Sequence, residues 1–127
     1  LGHNGNLPQT KHLSNNLRMD NFRLNNVTDS EMMGMAVAQQ IRNGRTMPDA
    51  IERVYPLFRG AFSCVTMHDG AIAAFRDSRG IRPLALGKID GGLVVTSETC
   101  GLDIVGAEYI REVEPGEMII IDKKNKR

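Results

Sequence analysis

Near its start this 127-residue chain carries His3-Asn4-Gly5-Asn6. Asn4 offers a side-chain amide N–H, and Gly5 offers a backbone N–H that no side chain obstructs. Two such donors can hold the negative oxygen that appears when an amide carbonyl is attacked. Losing one costs about 10²–10³ in rate in well-studied sites. Taken alone, Asn-Gly is first a turn signal, because both residues accept positive φ. Asp29 also has two roles open to it. Directly after a helix N-cap, a carboxylate favours the positive helix end by about 0.3–1 kcal/mol. As a ligand, it would pair with a substrate ammonium. Local sequence favours the structural role.

Cys64 and Cys100 are the only thiols. Cys64 lies among apolar neighbours and reads as buried and inert. Cys100 falls in the first turn of a predicted helix, where a thiolate would be stabilised. Neither has an obvious base near it in sequence, so neither is expected to act as a nucleophile. The run Asp77-Ser78-Arg79-Gly80-Ile81-Arg82-Pro83-Leu84 is dense in charge, Gly and Pro, and reads as a structured turn bridged by Asp77 and the two Arg. Phosphate loops of the G-x-G-x-x-G and G-x-x-x-x-G-K-[ST] types are absent, as is a G-x-S-x-G elbow. Ile119-Ile120-Ile121-Asp122 has the apolar start of a phosphoribosyl-diphosphate loop, but Lys123-Lys124-Asn125 follows in place of the acidic and Thr/Gly residues such a loop needs.

These residues must be positioned by the elements around them. Leu13 and Leu17, one turn apart, predict a short helix over 10–20. Thr28-Asp29-Ser30-Glu31 fits a capping box that opens a helix over 29–43, with Met33, Ala36, Val37 and Ile41 on one face. Asn43-Gly44 ends it. Pro48 suits the first turn of a third helix, over 48–58, in which Ile51, Val54 and Phe58 make a buried stripe. From Gly60 the apolar period changes to two. Strands are predicted over 61–67, 71–76, 84–89, 93–96, 108–113 and 117–122, with a short helix over 98–105. Tight turns at Asp69-Gly70, Asp90-Gly91-Gly92 and Glu114-Pro115-Gly116 imply three antiparallel hairpins. Helices that precede a run of strands read as α+β.

Composition excludes several classes. Sixteen Lys+Arg against 15 Asp+Glu leave a net charge of +1, which argues against a dedicated nucleic-acid binder. Lys123, Lys124, Lys126 and Arg127 cluster at the end, and residues 123–127 read as a solvated basic end or the start of a linker. No apolar run approaches the roughly 18 residues of a membrane span. Two Cys and three His show no zinc-ligand spacing. A reduced, cytoplasmic setting is the expectation.

Taken together, the motifs resemble the glutaminase domain of the amidophosphoribosyltransferases, a branch of the class II glutamine amidotransferases. The matching segments are His3-Asn4-Gly5-Asn6-Leu7, Thr28-Asp29-Ser30-Glu31, Arg59-Gly60-Ala61-Phe62-Ser63, Arg76-Asp77-Ser78-Arg79-Gly80-Ile81-Arg82-Pro83-Leu84, Ser97-Glu98-Thr99-Cys100-Gly101-Leu102-Asp103 and Val113-Glu114-Pro115-Gly116-Glu117. His-Asn-Gly is common to all class II members; the long Arg-Asp turn and the Ser-Glu-Thr-Cys segment point to this branch. Ser78 and Gly101 depart from the Pro and Ala usual there.

The resemblance implies part of an N-terminal-nucleophile hydrolase fold, an αββα sandwich with antiparallel sheets, over residues 1–122. It implies glutamine hydrolysis through a thioester on an N-terminal Cys whose own α-amino group is the base. Asn4 and Gly5 match the oxyanion hole, and Asp29 matches the residue that binds the glutamine α-amino group. The ammonia would serve phosphoribosylamine formation in de novo purine synthesis, on a phosphoribosyltransferase domain. Leu1 is not Cys, so the chain is expected to be the later part of the domain and inactive alone. No cofactor is expected in it; Mg2+ would belong to the absent transferase domain. Expected partners are glutamine, the missing N-terminal segment, the transferase domain and further copies of the chain, with neither nucleic acid nor membrane. The alternative is a stand-alone ligand-binding or interaction module that keeps the fold without catalysis.

Overall fold

The computed structural model describes residues 1–123; the remainder of the predicted basic end, 124–127, lies outside the described residues. The elements follow in the order β1 (Gly2–Gln9), α1 (Lys11–Met19), α2 (Asp29–Arg42), α3 (Met47–Val54) with a 3-10 turn at Tyr55–Leu57, β2 (Arg59–His68), β3 (Ala71–Arg76), β4 (Ala85–Ile89), β5 (Gly92–Thr96), α4 (Thr99–Val105), β6 (Glu108–Glu112) and β7 (Met118–Ile121). The chain divides into two compact units. The first holds Leu1 and Asn6–Gly60; the second holds Gly2–Gly5 and the chain from Ala61 onward.

In the first unit, the helices form where capping and apolar spacing place them. Thr28 Oγ1 accepts from the Glu31 N–H at 3.2 Å, and Glu31 Oε2 accepts from the Thr28 N–H at 2.8 Å. This is the capping box, and it relieves two backbone donors that the first turn leaves unpaired. Met33, Ala36 and Val37 are buried, as are Ile51, Val54 and Phe58. Thr46 caps α3 through the Asp49 N–H, and Pro48 stands in its first turn. That helix stops at Val54 rather than at 58, and Pro56 falls in the 3-10 turn that follows it.

The second unit is built on two sheets. One has the order β1-β2-β3-β7, the other β5-β4-β6. The pairs β2/β3, β3/β7, β4/β5 and β4/β6 are all antiparallel. Two of the three predicted hairpins form. The third does not: β6 pairs with β4 and β7 with β3, so the turn at Glu114-Pro115-Gly116 carries the chain from one sheet to the other. The reason lies in packing. Val113, fully buried, joins Ala74 and Leu84 in a core that Val65, Val95 and Ile119 complete from both sheets. Phe62 and Phe75 meet edge to face, ring centroids 6.1 Å apart. Burying each ring is worth about 1.5–3 kcal/mol. Phe62, Ser63 and Cys64 are consecutive and all buried, so this stretch of β2 is covered on both faces.

Candidate functional site

Asn4 and Gly5 do not make a turn. They lie in the middle of β1, where burial alternates: His3 and Gly5 are half-buried, Leu7 is buried, and Asn4 and Asn6 are exposed. Period-two exposure puts the Asn4 side chain on the open face of the strand. The Gly at position 5 is a steric requirement. Its φ is +140°, and a Cβ there would overlap the Ala61 carbonyl oxygen and sit 2.9 Å from Phe62 Cα. In the first unit Gly60 (φ +154°) is tied to β1 in the same way, with Leu7 Cα 3.0 Å from the place of a Cβ. The two glycines let β1 and β2 approach more closely than side chains would allow.

Asp29 belongs to the first unit, as the first residue of α2. Its Oδ1 accepts from the Ser30 N–H at 2.8 Å, and its Oδ2 accepts from the Leu7 N–H at 3.1 Å. The expected structural role at the helix N-terminus is therefore filled, and the carboxylate also ties the helix start to β1.

The Arg-Asp turn of the second unit is held by a dense set of hydrogen bonds. Arg76 and Asp77 are 4% and 3% exposed. Arg76 donates to the Val113 carbonyl at 2.5 Å and to the Gly80 carbonyl at 2.6 Å. Asp77 Oδ1 accepts from the N–H groups of Arg79 and Gly80 at 2.9 and 3.0 Å, and Oδ2 accepts from Phe62 N–H at 3.1 Å. Asp77 thus bridges the turn, as expected, together with Arg76. The two Arg expected as its partners do not appear in this set as charges: Arg79 takes part through its backbone, and Arg82 through its carbonyl, which accepts from Ser63 Oγ at 2.8 Å.

Cys64 is buried and Cys100 exposed, its Sγ 3.6 Å from Glu98 Oε2. Gly101 leaves room that an Ala would take: a Cβ would sit 2.5 Å from Thr96 Oγ1. Among the described residues no group of three His, Cys, Asp or Glu is placed to hold a metal ion, and no helix is long and apolar enough to cross a membrane. Two carboxylates are held below the usual range. Glu31 is stabilised by the backbone N–H and hydroxyl of Thr28. Glu117 is stabilised first by its two-pronged hydrogen bonds from Arg111, at 2.7 and 2.8 Å.

A strand that carries Asn-Gly with the glycine sterically enforced, an aspartate opening a capped helix and a buried Arg-Asp turn together define a class of domain. The chain belongs to the glutamine amidotransferase domain family, whose model matches residues 1–103. It is similar to the amidophosphoribosyltransferase of Synechococcus elongatus, 42% identical over 125 residues, and to that of Bacillus subtilis, 37% identical over 123. The matches cover 95% and 96% of this chain and 25% of each relative, so the chain spans about a quarter of the curated relatives it matches. Among solved structures it is similar to the glutamine phosphoribosylpyrophosphate amidotransferase from B. subtilis complexed with ADP and GMP, with a TM-score of 0.85 and 35% identity over 97% of this chain and 27% of that one. It is also similar to a structure described as the allosteric regulatory enzyme of purine biosynthesis, with a TM-score of 0.82 and 36% identity over 96% of this chain and 26% of that one. The fold class is the expected one, an α+β chain with antiparallel sheets that matches part of these amidotransferases.

Proposed function

We propose that these 127 residues are the later part of the glutamine-hydrolysing domain of an amidophosphoribosyltransferase, working in the cytoplasm. The observation that carries the reading is Asn4-Gly5 held in a strand with Asn4 on its exposed face. In this reading a cysteine thiolate attacks the side-chain amide carbon of glutamine. The Asn4 amide and the Gly5 N–H donate to the oxygen that gains the electron pair, ammonia leaves, and water later opens the thioester to glutamate. Asp29 pairs with the α-ammonium of glutamine. The thiolate comes from an N-terminal Cys that this sequence does not contain, so the chain alone binds but does not hydrolyse. The parent passes ammonia to phosphoribosylamine formation on a transferase domain, where Mg2+ would be needed; the chain itself takes no cofactor. It pairs with the upstream segment of its domain or with its own copies.

Two measurements test this. Purified chain should release no ammonia from glutamine above buffer, because nothing in it generates the attack. Release that disappears in Cys100→Ser would mean that a resident thiol serves. Separately, glutamine should shift the Asn4 side-chain and Gly5 amide resonances, and Asp29→Asn should remove the effect. Shifts at neither position would leave the stand-alone module as the better description.

A further inference from the structure

We infer that Asp77 is a positioning residue for the candidate oxyanion strand, acting through a single peptide group. At the end of the β2/β3 ladder, Ser63 pairs with Arg76, so the next rung joins Phe62 and Asp77. In an antiparallel ladder every second rung is a hydrogen-bonded pair, in which the two residues exchange both backbone hydrogen bonds, and Phe62/Asp77 falls on such a rung. Here only one is exchanged: the Asp77 N–H donates to the Phe62 carbonyl at 3.0 Å. The Asp77 carbonyl has turned away and accepts instead from the Gly80 and Gly116 N–H groups, at 3.2 and 2.9 Å. The carboxylate replaces it, with Oδ2 taking the Phe62 N–H at 3.1 Å while Oδ1 holds the N–H groups of Arg79 and Gly80. A side chain thus supplies the last acceptor of the ladder and frees the backbone to turn.

The Phe62 N–H and the Ala61 carbonyl belong to one planar trans peptide, so they point in opposite directions. One edge of that plane is fixed by Asp77. The other edge carries the Ala61 oxygen that fills the space where a Cβ of Gly5 would be. Any tilt of the plane moves the surface against which Gly5 rests. Asp77, 3% exposed and bonded to three backbone donors, sets that tilt. The sequence distance between Asp77 and Gly5 hides this link, and the role rests on the oxyanion reading of Asn4-Gly5.

Asp77→Asn tests it selectively. With its oxygen kept on Arg79 and Gly80, the new amide NH2 faces the Phe62 N–H, donor against donor. Backbone NMR of the 127-residue chain should then show amide exchange about tenfold faster at Phe62, the loss expected of one hydrogen bond, together with a shifted Gly5 amide resonance. Arg79 and Gly80 should stay protected. Val113→Ala, which loosens the same core without touching the peptide, should leave the Gly5 amide resonance in place. An unmoved Gly5 resonance in Asp77→Asn, or an equal movement in Val113→Ala, overturns the proposal. If Asp77→Asn does not fold, the unsubstituted chain decides: across a urea series the Gly5 amide resonance must move in step with the loss of Phe62 amide protection, and independent movement overturns it. The readout needs no glutamine, so its failure is distinct from failure of the proposed function.

Discussion

The Gly5 carbon shows how a single residue can be fixed by something remote in sequence. Asn-Gly signals a turn, and that signal is sound local chemistry. The strand assignment could not be made locally, because the demand for glycine comes from the Ala61 carbonyl on another strand. Gly5→Ala should therefore destabilise the chain by about 1–3 kcal/mol, the usual cost of a residue forced into a sparsely populated backbone region, with the overlap added. A urea midpoint equal to that of the unsubstituted chain would refute the close approach. Asp29 was legible as the residue after an N-cap. Its bond to the Leu7 N–H was not, since nothing in the sequence says which backbone lies beside a helix start.

At the scale of elements, the α2 cap carries its own energetics. Thr28→Ala should cost about 0.5–2 kcal/mol, read as a lowered urea midpoint, because it strips the acceptor from the Glu31 N–H. The Glu31 carboxyl is held below its usual 4.5, so its contribution is present above the unfolded value and is lost as pH falls through the lowered one. Glu117 has the same sign. Stability should thus decline from about pH 5 downward, and less steeply in Glu31→Gln and Glu117→Gln. A pH profile identical in all three chains would contradict the hydrogen-bonded carboxylates. Elements with a period or a cap were readable: helix starts, the Asp69-Gly70 and Asp90–Gly92 hairpins, and most strand limits. The partners of β6 and β7 were not, since a tight turn joins strands of one sheet or of two with equal ease. Only the core around Ala74, Leu84 and Val113 selects the crossing.

At the scale of the whole molecule, apolar surface remains open. Ile104 is 84% exposed, Tyr109 50% and Ile110 45%. Tyr109 and Ile110 lie on β6, an edge strand whose register against β4 steps past Ile110 in a bulge, and Ile104 lies on the preceding helix α4. Bulges blunt edge-to-edge pairing, whereas large apolar patches recruit partners. Self-association through this surface is expected, and Ile104→Glu with Ile110→Glu should reduce it in a light-scattering dilution series. A 14.0 kDa particle at every concentration would mean that the surface is inert. The crossing from β6 to β7 has a further consequence, for timing. During synthesis the β2/β3 hairpin emerges early, but the strand that covers the outer edge of β3 is made only after all of the second sheet. At about 5–20 residues per second, that edge stays bare for seconds. Ile72, Ala74 and Phe75, three of the residues that later pair with β7, form an aggregation-prone template throughout that interval. The yield of soluble protein should accordingly depend on translation speed and on chaperones that shield nascent strands, even where the finished chain is stable.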